Sequence, residues 1–597
     1  MMTEVWCLLF NDKKELLRAP FSAKAPHVCG LMMAIEERCS HLENVKAFYL
    51  VVWRCKEPTL LSTQDDDELQ DHLSKIDFLD KEQVVKLASG LDLADLELGS
   101  NEVLLVEVPS TKEKQNLFPR LGRFTRRWGD WLINNPTTAP SSAAETRNLL
   151  ERQVHPERMI FCGRPYSAFW AIPPTLLCPQ FSQFVVDLDS CTPSTDDIEL
   201  FHELCQEMSD IFVDESEPDR NDQFISLMEK YGFGDLQRKF ISKYPADGVL
   251  DIYIEKVHEH VPYCILQVKN EIGSTAAEPM AQAIFYWLEG IRVCKQDRGN
   301  QLFSRTNFPA ALLLHYGESC CFTCLHIYTA FSTGPYISVA LAVYTGTSNV
   351  QIVNPIIPLH FHPSDTKARA TGERFICALR RLLSSLKDYY LRDAFSKSSR
   401  VQVKFPFYTT YTDGGASHAF VYEEQVDRKR AFIAHLRDNP EDKIFVKFSR
   451  RYGEDAHRVA HAYGFAPNLR AVEHFADGWV MVVMDDVSQQ FCAIKDRRLK
   501  ENVYKAVEKA LALLHADGYV HGDVRETNIM VKRDGVDSED LGDVILVDFD
   551  WAGKENTVRY PSNITLGHPE LPRPKDIVRG GLISSAHDDE MLELLYP

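Results

Sequence analysis

The chain has 597 residues, 45% of them hydrophobic and 25% charged. That is too long for one domain at roughly 150 residues each, and apolar enough to fill several cores. With 66 Lys plus Arg against 86 Asp plus Glu, the formal charge of -20 excludes a chain-wide grip on nucleic acid but leaves room for a local basic groove.

The opening "MMTEVWCLLFNDKK" has no basic leader, so no conventional secretory signal is expected there. No apolar run approaches the roughly 20 residues of a membrane span. Fifteen Cys without a repeated spacing do not make a disulfide framework, and reduced thiols in cytosol or nucleus are expected. Cys321-x-x-Cys324 lacks a second pair at finger spacing, and buried apolar cysteine is the reading preferred over zinc or redox chemistry.

Residues 1–110 read as a small α+β unit. "EVWCLLF" is a strand, "HVCGLMMAIEERC" a helix, and "VKAFYLVVWRC" and "NEVLLVEVP" are later strands. That order and length suggest a ubiquitin-like roll. Residues 111–150 are a linker that moves from basic to Pro/Thr/Ser-rich. Arg120, Arg123, Arg126 and Arg127, interleaved with Phe124 and Trp128, fit a solvated linker helix, with nucleic-acid contact or nuclear import as the other reading. This N-terminal unit, its last strand "VLLVEVP" and the Asp130-Trp131-Leu132 element together resemble the N-terminal domain of Crinkler-type effectors. The family's LFLAK-like element survives only as "CLLFNDKKE". The resemblance covers about the first quarter of the chain. It implies a translocated, secreted effector or conflict-system toxin acting in a host cell's cytoplasm or nucleus, with its activity farther along.

Residues 151–400 read as an α/β domain. In "DGVLDIYIEKVHEHVPYCILQVKNEIG", Asp251 ends one apolar strand and Gln267-Val268-Lys269 ends the next. Alternation puts Gln267 and Lys269 on one face. A carboxylate with a second oxygen ligand can hold Mg²⁺, and a neighbouring Lys can activate water for phosphodiester attack. The layout resembles the restriction-endonuclease-like fold, including Gln282 on the following helix, with Gln267 where that family usually has Glu. The plainer reading makes Asp251 a strand-end turn residue and Lys269 a solvated lysine.

Residues 401–597 carry the strongest motif. "ENVYKAVEKALALLHADGYV" puts Val503, Val507, Leu511 and Leu514 on one helical face, and Gly518 suits a left-handed helix stop. Then comes His521-Gly522-Asp523-Val524-Arg525-Glu526-Thr527-Asn528, a short strand, a turn, and a strand running to Asp548-Phe549-Asp550. Phosphoryl transfer needs an Asp to position the attacking hydroxyl, with an amide and a second Asp to hold Mg²⁺ against the phosphates. The Asp-to-Asn spacing matches the kinase catalytic loop. The region therefore resembles protein-kinase-like domains, especially fungal-type and atypical ones with His-Gly-Asp loops.

That resemblance implies a set of roles. Asp523 is the base, Arg525 supports the transferred phosphate, and Asn528 and Asp548 are metal ligands. Lys447 in "KIFVKFS" anchors ATP with Glu454 as its partner and Asp455 as the alternate. Gly414 and Gly415 form a shortened phosphate-covering loop, and backbone groups near Met484 to Asp486 hold adenine. Asp588 is placed to support the catalytic loop. Gly522 stands where the family has Arg, and Asp550 where it has Gly.

The expectation is a multidomain α+β protein: ubiquitin-like N-terminal domain, endonuclease-like α/β middle and two-lobed kinase-like domain. Its expected activity is ATP- and Mg²⁺-dependent phosphoryl transfer to a protein hydroxyl, Ser/Thr by family. The alternative is a metal-dependent DNA nuclease toxin acting through Asp251, Gln267 and Lys269, with the kinase-like domain regulatory or inactive. A third reading is a non-catalytic effector that binds host proteins. No membrane partner is expected.

Overall fold

In the computed structural model, the first 137 residues are described at 3–11, 16–25, 31–32, 34–35, 51–56, 75–76, 83–87, 93–96, 98 and 102–108. Residues 138–394 are described except 154–158, 166–167, 169–171, 210–216, 256–257, 270–276, 299–304, 317–334 and 354–355. Residues 403–596 are described except 427–428, 495–498, 534–542, 568–570 and 572. Cys320, Cys321, Cys324, the linker arginines and the Asp130-Trp131-Leu132 element lie outside the described residues.

The architecture is mixed α+β, and the chain divides into two compact units, Met1–Lys404 and Phe405–Pro597. Among the described residues, no helix is long and apolar enough to cross a membrane.

The first unit begins with a five-stranded sheet. Its strands are β1 (Thr3–Asn11), β2 (Leu16–Ala25), β3 (Val51–Cys55), β4 (Val84–Lys86) and β5 (Val103–Val108), in the order β2-β1-β5-β3-β4. The central pair β1/β5 is parallel. Alternation splits β1 between two cores: Val5, Cys7 and Leu9 pack on one face, Leu8 and Phe10 on the other.

A second, seven-stranded sheet follows: β6 (Gln237–Ile241), β7 (Tyr244–Ile254), β8 (Glu259–Lys269), β9 (Ala310–Tyr316), β10 (Tyr336–Tyr344), β11 (Ser348–Ile352) and β12 (Ile357–Pro358). Strands β8 and β9 run parallel, and the other named strand pairs of this sheet are antiparallel. Their apolar runs, Cys264–Leu266 and Ala311–Leu314, are buried without alternation, as strands covered on both faces must be. Helix α1 (Pro279–Arg298) makes the crossover between them and is itself buried through Ile284, Phe285, Trp287 and Leu288.

The second unit opens with β13 (Thr410–Asp413), β14 (Ala416–Gln425), β15 (Ala431–Leu436), β16 (Lys443–Ser449), β17 (Leu469–His474) and β18 (Val480–Asp485), ordered β13-β14-β15-β16-β18-β17. Helix α2 (Glu454–Ala462) leaves β16 after four residues. Tyr422, Phe432 and Phe448 pack edge to face on the sheet, the arrangement that the ring quadrupoles favour.

After β18 the chain turns helical. Helix α3 (Glu501–Ala516) buries Val503, Ala506, Val507, Ala510, Leu511 and Leu514, and Gly518 ends it at φ +78°. Short strands β19 (Phe491–Ala493), β21 (Ile529–Lys532) and β22 (Val544–Leu546) form one sheet. Strand β20 (Tyr519–Val520) pairs β23 (Gly553–Lys554), and α4 (Ser585–Glu593) closes the unit.

Candidate active site

The two halves of the second unit meet at the loop after α3 and the turn after β22. Three interactions hold the loop. Asp588, fully buried on α4, accepts hydrogen bonds from the backbone N–H of His521 and of Gly522, each at 2.7 Å. Its other partner is His515 at 3.2 Å. His521 Nε2 lies 3.2 Å from the Val547 carbonyl, joining the loop to the approach to Asp548. Gly522 sits at φ +78°, and a Cβ there would lie 3.0 Å from Ile583. The backbone here thus favours glycine over any residue with a side chain.

The loop carries Asp523 and Asn528 to the same spot. Asn528 Nδ2 donates to Asp523 Oδ2 and to the Asp523 carbonyl, both at 2.9 Å, and both side chains are buried. Arg525 Nε lies 3.2 Å from Asp523 Oδ2. Arg573, absent from the expected residues, donates to Asp523 Oδ1 at 2.7 Å and lies over the Trp551 ring. It reaches the site from 50 residues away, and no local spacing could have pointed to it.

Asp548 takes φ +72°, a left-handed conformation that an Asp tolerates at a modest cost. Phe549 holds it there. The ring is buried, stacks on the His457 imidazole at 4.6 Å and meets His521 edge-on at 5.0 Å. Lys447 reaches across from β16. Its ammonium hydrogen-bonds to Asp548 and lies 2.8 Å from Asp550 Oδ1.

Burial opposes the Asp548 charge, but the Lys447 ammonium outweighs it and holds the carboxyl at about 2. Burial likewise works against the charged Lys447, yet the two carboxylates raise its pKa. Asp550 is pushed up, chiefly by burial and then by the adjacent Asp548 charge, against the pull of Lys447.

The expectations for the lysine's partner and for the phosphate-covering turn need correction. Glu454 does not reach Lys447; it opens α2 with a side chain 37% exposed and pairs with Arg458 one turn on. Asp455 beside it is exposed.

Gly414 and Gly415 form the β13–β14 hairpin turn at φ +55° and +83°. They lie at the opposite end of β14 from the β14–β15 turn, about 30 Å along ten residues. The register pairs Ala431 with Lys447, so the turn beside the lysine is the basic β14–β15 connection. Lys429 from that turn acts on the Asp548 carboxylate.

Of the backbone groups near Met484 to Asp486, the N–H groups of Asp485 and Asp486 donate to the Asn468 and Lys443 carbonyls.

In the first unit, Asp251 does not join Gln267. It lies opposite Pro262 and pairs with Lys239 at 2.9 Å and His260 at 3.4 Å. The carboxylate beside Gln267 is Asp247, four residues earlier. It hydrogen-bonds with the Gln267 amide and accepts from the Val268 N–H at 2.9 Å. Lys269 lies on the same face as Gln267. Gln282 lies on α1 one turn before Tyr286, whose hydroxyl donates to the Pro245 carbonyl. A cavity of about 340 Å³ here is bordered by Asn221, Arg238, Lys239, Asp247 and Val268. The turn-like Pro245-Ala246-Asp247-Gly248 was the available signal, but a one-residue bulge between Leu250 and Asp251 makes counting along the strand unsafe.

Among the described residues, no three His, Cys, Asp or Glu side chains converge as a ready metal site. The donors at Asp548 and Asn528 are nevertheless hard oxygens of the kind Mg²⁺ takes when phosphates and water complete its shell. The Asn528 amide nitrogen is spent on Asp523, and its Oδ1 has a contact of 3.4 Å from the Thr527 hydroxyl.

No protein-family model matches the chain, and no curated protein matches it. Among solved structures, it is similar to the kinase PK-1 of the Cydia pomonella granulovirus, at 16% identity and a TM-score of 0.23, covering 29% of this chain and 65% of that one. It is also similar to vaccinia related kinase 3, at 18% identity and a TM-score of 0.24, covering 31% of this chain and 66% of that one. The chain thus spans just under two thirds of each of those proteins. Scores this low carry no argument beside the geometry of the site.

Proposed function

We propose that Phe405–Pro597 is a protein-kinase-like phosphotransferase domain that moves a phosphoryl group from ATP to a hydroxyl, with a protein Ser/Thr side chain as the expected acceptor. The observation that carries this reading is one constellation: Asp523 hydrogen-bonded to Asn528, and Asp548 hydrogen-bonded to Lys447 from the opposing sheet. A polar turn between two strands requires no such lysine.

In this reading Asp523 accepts the proton of the attacking hydroxyl on its carboxylate. Asn528, Arg525 and Arg573 fix that carboxylate's orientation and balance its charge in a buried setting. Lys447 binds phosphate oxygens, and Lys429 adds positive charge from the turn above. Asn528 and Asp548 would hold Mg²⁺, which when bound neutralises phosphate charge. The Crinkler-type effector setting and the ubiquitin-like character of the N-terminal domain belong to the same proposal and rest on the sequence resemblance over about the first quarter of the chain.

The test is calorimetric titration of MgATP into the full chain, wild type beside Asp548→Asn. Binding by the wild type that the variant loses supports the reading. A folded wild type that binds no MgATP overturns it.

A second reading, a metal-dependent nuclease in the first unit, is favoured by the Asp247–Gln267 contact beside Lys269 and the basic cavity wall. Its carboxylate would be Asp247. Loss of Mg²⁺-dependent DNA cleavage in Asp251→Ala but not Asp247→Ala would refute that assignment.

A further inference from the structure

We infer that Asp550 is the positioning carboxylate for Lys447, filling on the segment after β22 the place expected of a helix glutamate. This rests on the phosphotransfer reading of the same site.

Helix α2 has two acids, Glu454 and Asp455, both in its first turn because only four residues separate it from β16. Glu454 is committed to Arg458, at 2.9 and 2.8 Å from its Nε and Nη2. The buried face of α2 presents Ala456, His457 and Ala460 instead. No carboxylate of this helix is placed for the lysine.

Asp550 is so placed. Its Oδ1 lies 2.8 Å from Lys447 Nζ, and the neighbouring Ser449 side chain favours its charged form. Lys447 and Ser449 are two residues apart on β16 and face the same way. The backbone around Asp550 is pinned on both sides. The Gly453 N–H donates to the Phe549 carbonyl at 2.9 Å, and a Cβ on Gly453 would stand 2.4 Å from the Ala552 oxygen. Phe549 itself is wedged between two imidazoles. The carboxylate is therefore held by packing against Gly453 and His457 at the start of α2, with no part played by the Glu454 side chain.

The arrangement answers a chemical need. Lys447 has two carboxylates in reach, and Asp548 is the one that turns to a cation when the site is loaded. Asp550 then keeps the ammonium oriented toward the phosphates.

The test is ATP binding by calorimetry on the full chain, with and without Mg²⁺, for Asp550→Asn, Asp550→Glu, Glu454→Gln, Lys447→Met and the Lys447→Met/Asp550→Asn double variant. Thermal melting is followed in parallel. Losing a charged partner should weaken ATP binding about tenfold in Asp550→Asn, with and without Mg²⁺. Asp550→Glu should recover part of that loss, and Glu454→Gln should stay within about twofold of wild type. In the Lys447→Met background, Asp550→Asn should add nothing, because its effect runs through the lysine. Additive losses, a loss seen only with Mg²⁺, or a tenfold loss in Glu454→Gln would each overturn the inference while leaving the phosphotransfer reading standing. A folded wild type that binds no ATP overturns both.

Discussion

Asp588→Ala is the perturbation whose cost can be worked most directly from the structure. Asp588 is fully buried and accepts the N–H of His521 and of Gly522 at 2.7 Å each. Removing its carboxylate leaves two buried backbone donors without partners and costs His515 its closest counter-charge. An unsatisfied buried donor costs roughly 1–3 kcal/mol, and water entering the vacated space recovers part of it, so the loop should lose about 2–4 kcal/mol. At 1.4 kcal/mol per factor of ten, this is about 30- to 1000-fold in the opening equilibrium. Hydrogen exchange read by mass spectrometry on peptides spanning 519–523 in the full chain measures that equilibrium directly. Exchange there should accelerate by that factor, while the Lys443–Ser449 strand changes far less. Acceleration below about threefold would refute the argument that Asp588 supports the loop.

Three further outcomes are expected. His457 is buried and held down to about 4, chiefly by desolvation, so the unfolded chain takes its proton first, near 6.5. Its contribution is complete above that value and is lost as pH falls toward 4, amounting to about 3 kcal/mol by linkage. Denaturation of the full chain across pH 7 to 4 should therefore show a slope that His457→Phe reduces, and equal slopes would refute it. Gly453→Ala places a methyl 2.4 Å from the Ala552 oxygen and should cost about 1–3 kcal/mol in melting experiments and weaken MgATP binding. Ala at Gly414 meets nothing within 4 Å and should cost only about 1 kcal/mol of backbone strain, with ATP affinity unchanged. ATP affinity that falls in Gly414→Ala would return that turn to the phosphate site.

What the sequence determined by itself was local. The apolar face of α3, the glycine that stops it, and the spacing from Asp523 to Asn528 all follow from helical period and from a loop too short to separate the two side chains. The run to Asp548 was legible for the same reason, since a short apolar strand ending in an acid delivers that acid to the strand's end.

Tertiary structure decided the partners. Which carboxylate meets Lys447 depends on how closely α2 follows β16 and on the packing of Phe549 between two imidazoles, so Asp550 is the neighbour and Glu454 is not. Gly414 and Gly415 looked like a phosphate loop because composition marks a turn but not its end of the sheet; the strand register settles that. Asp251 and Asp247 differ by four residues along one strand, and the cross-strand pairing selects Asp247. Arg573 reaches Asp523 across 50 residues. Periodicity and spacing constrain what lies within a few residues along the chain; contacts made across it are set by packing and register.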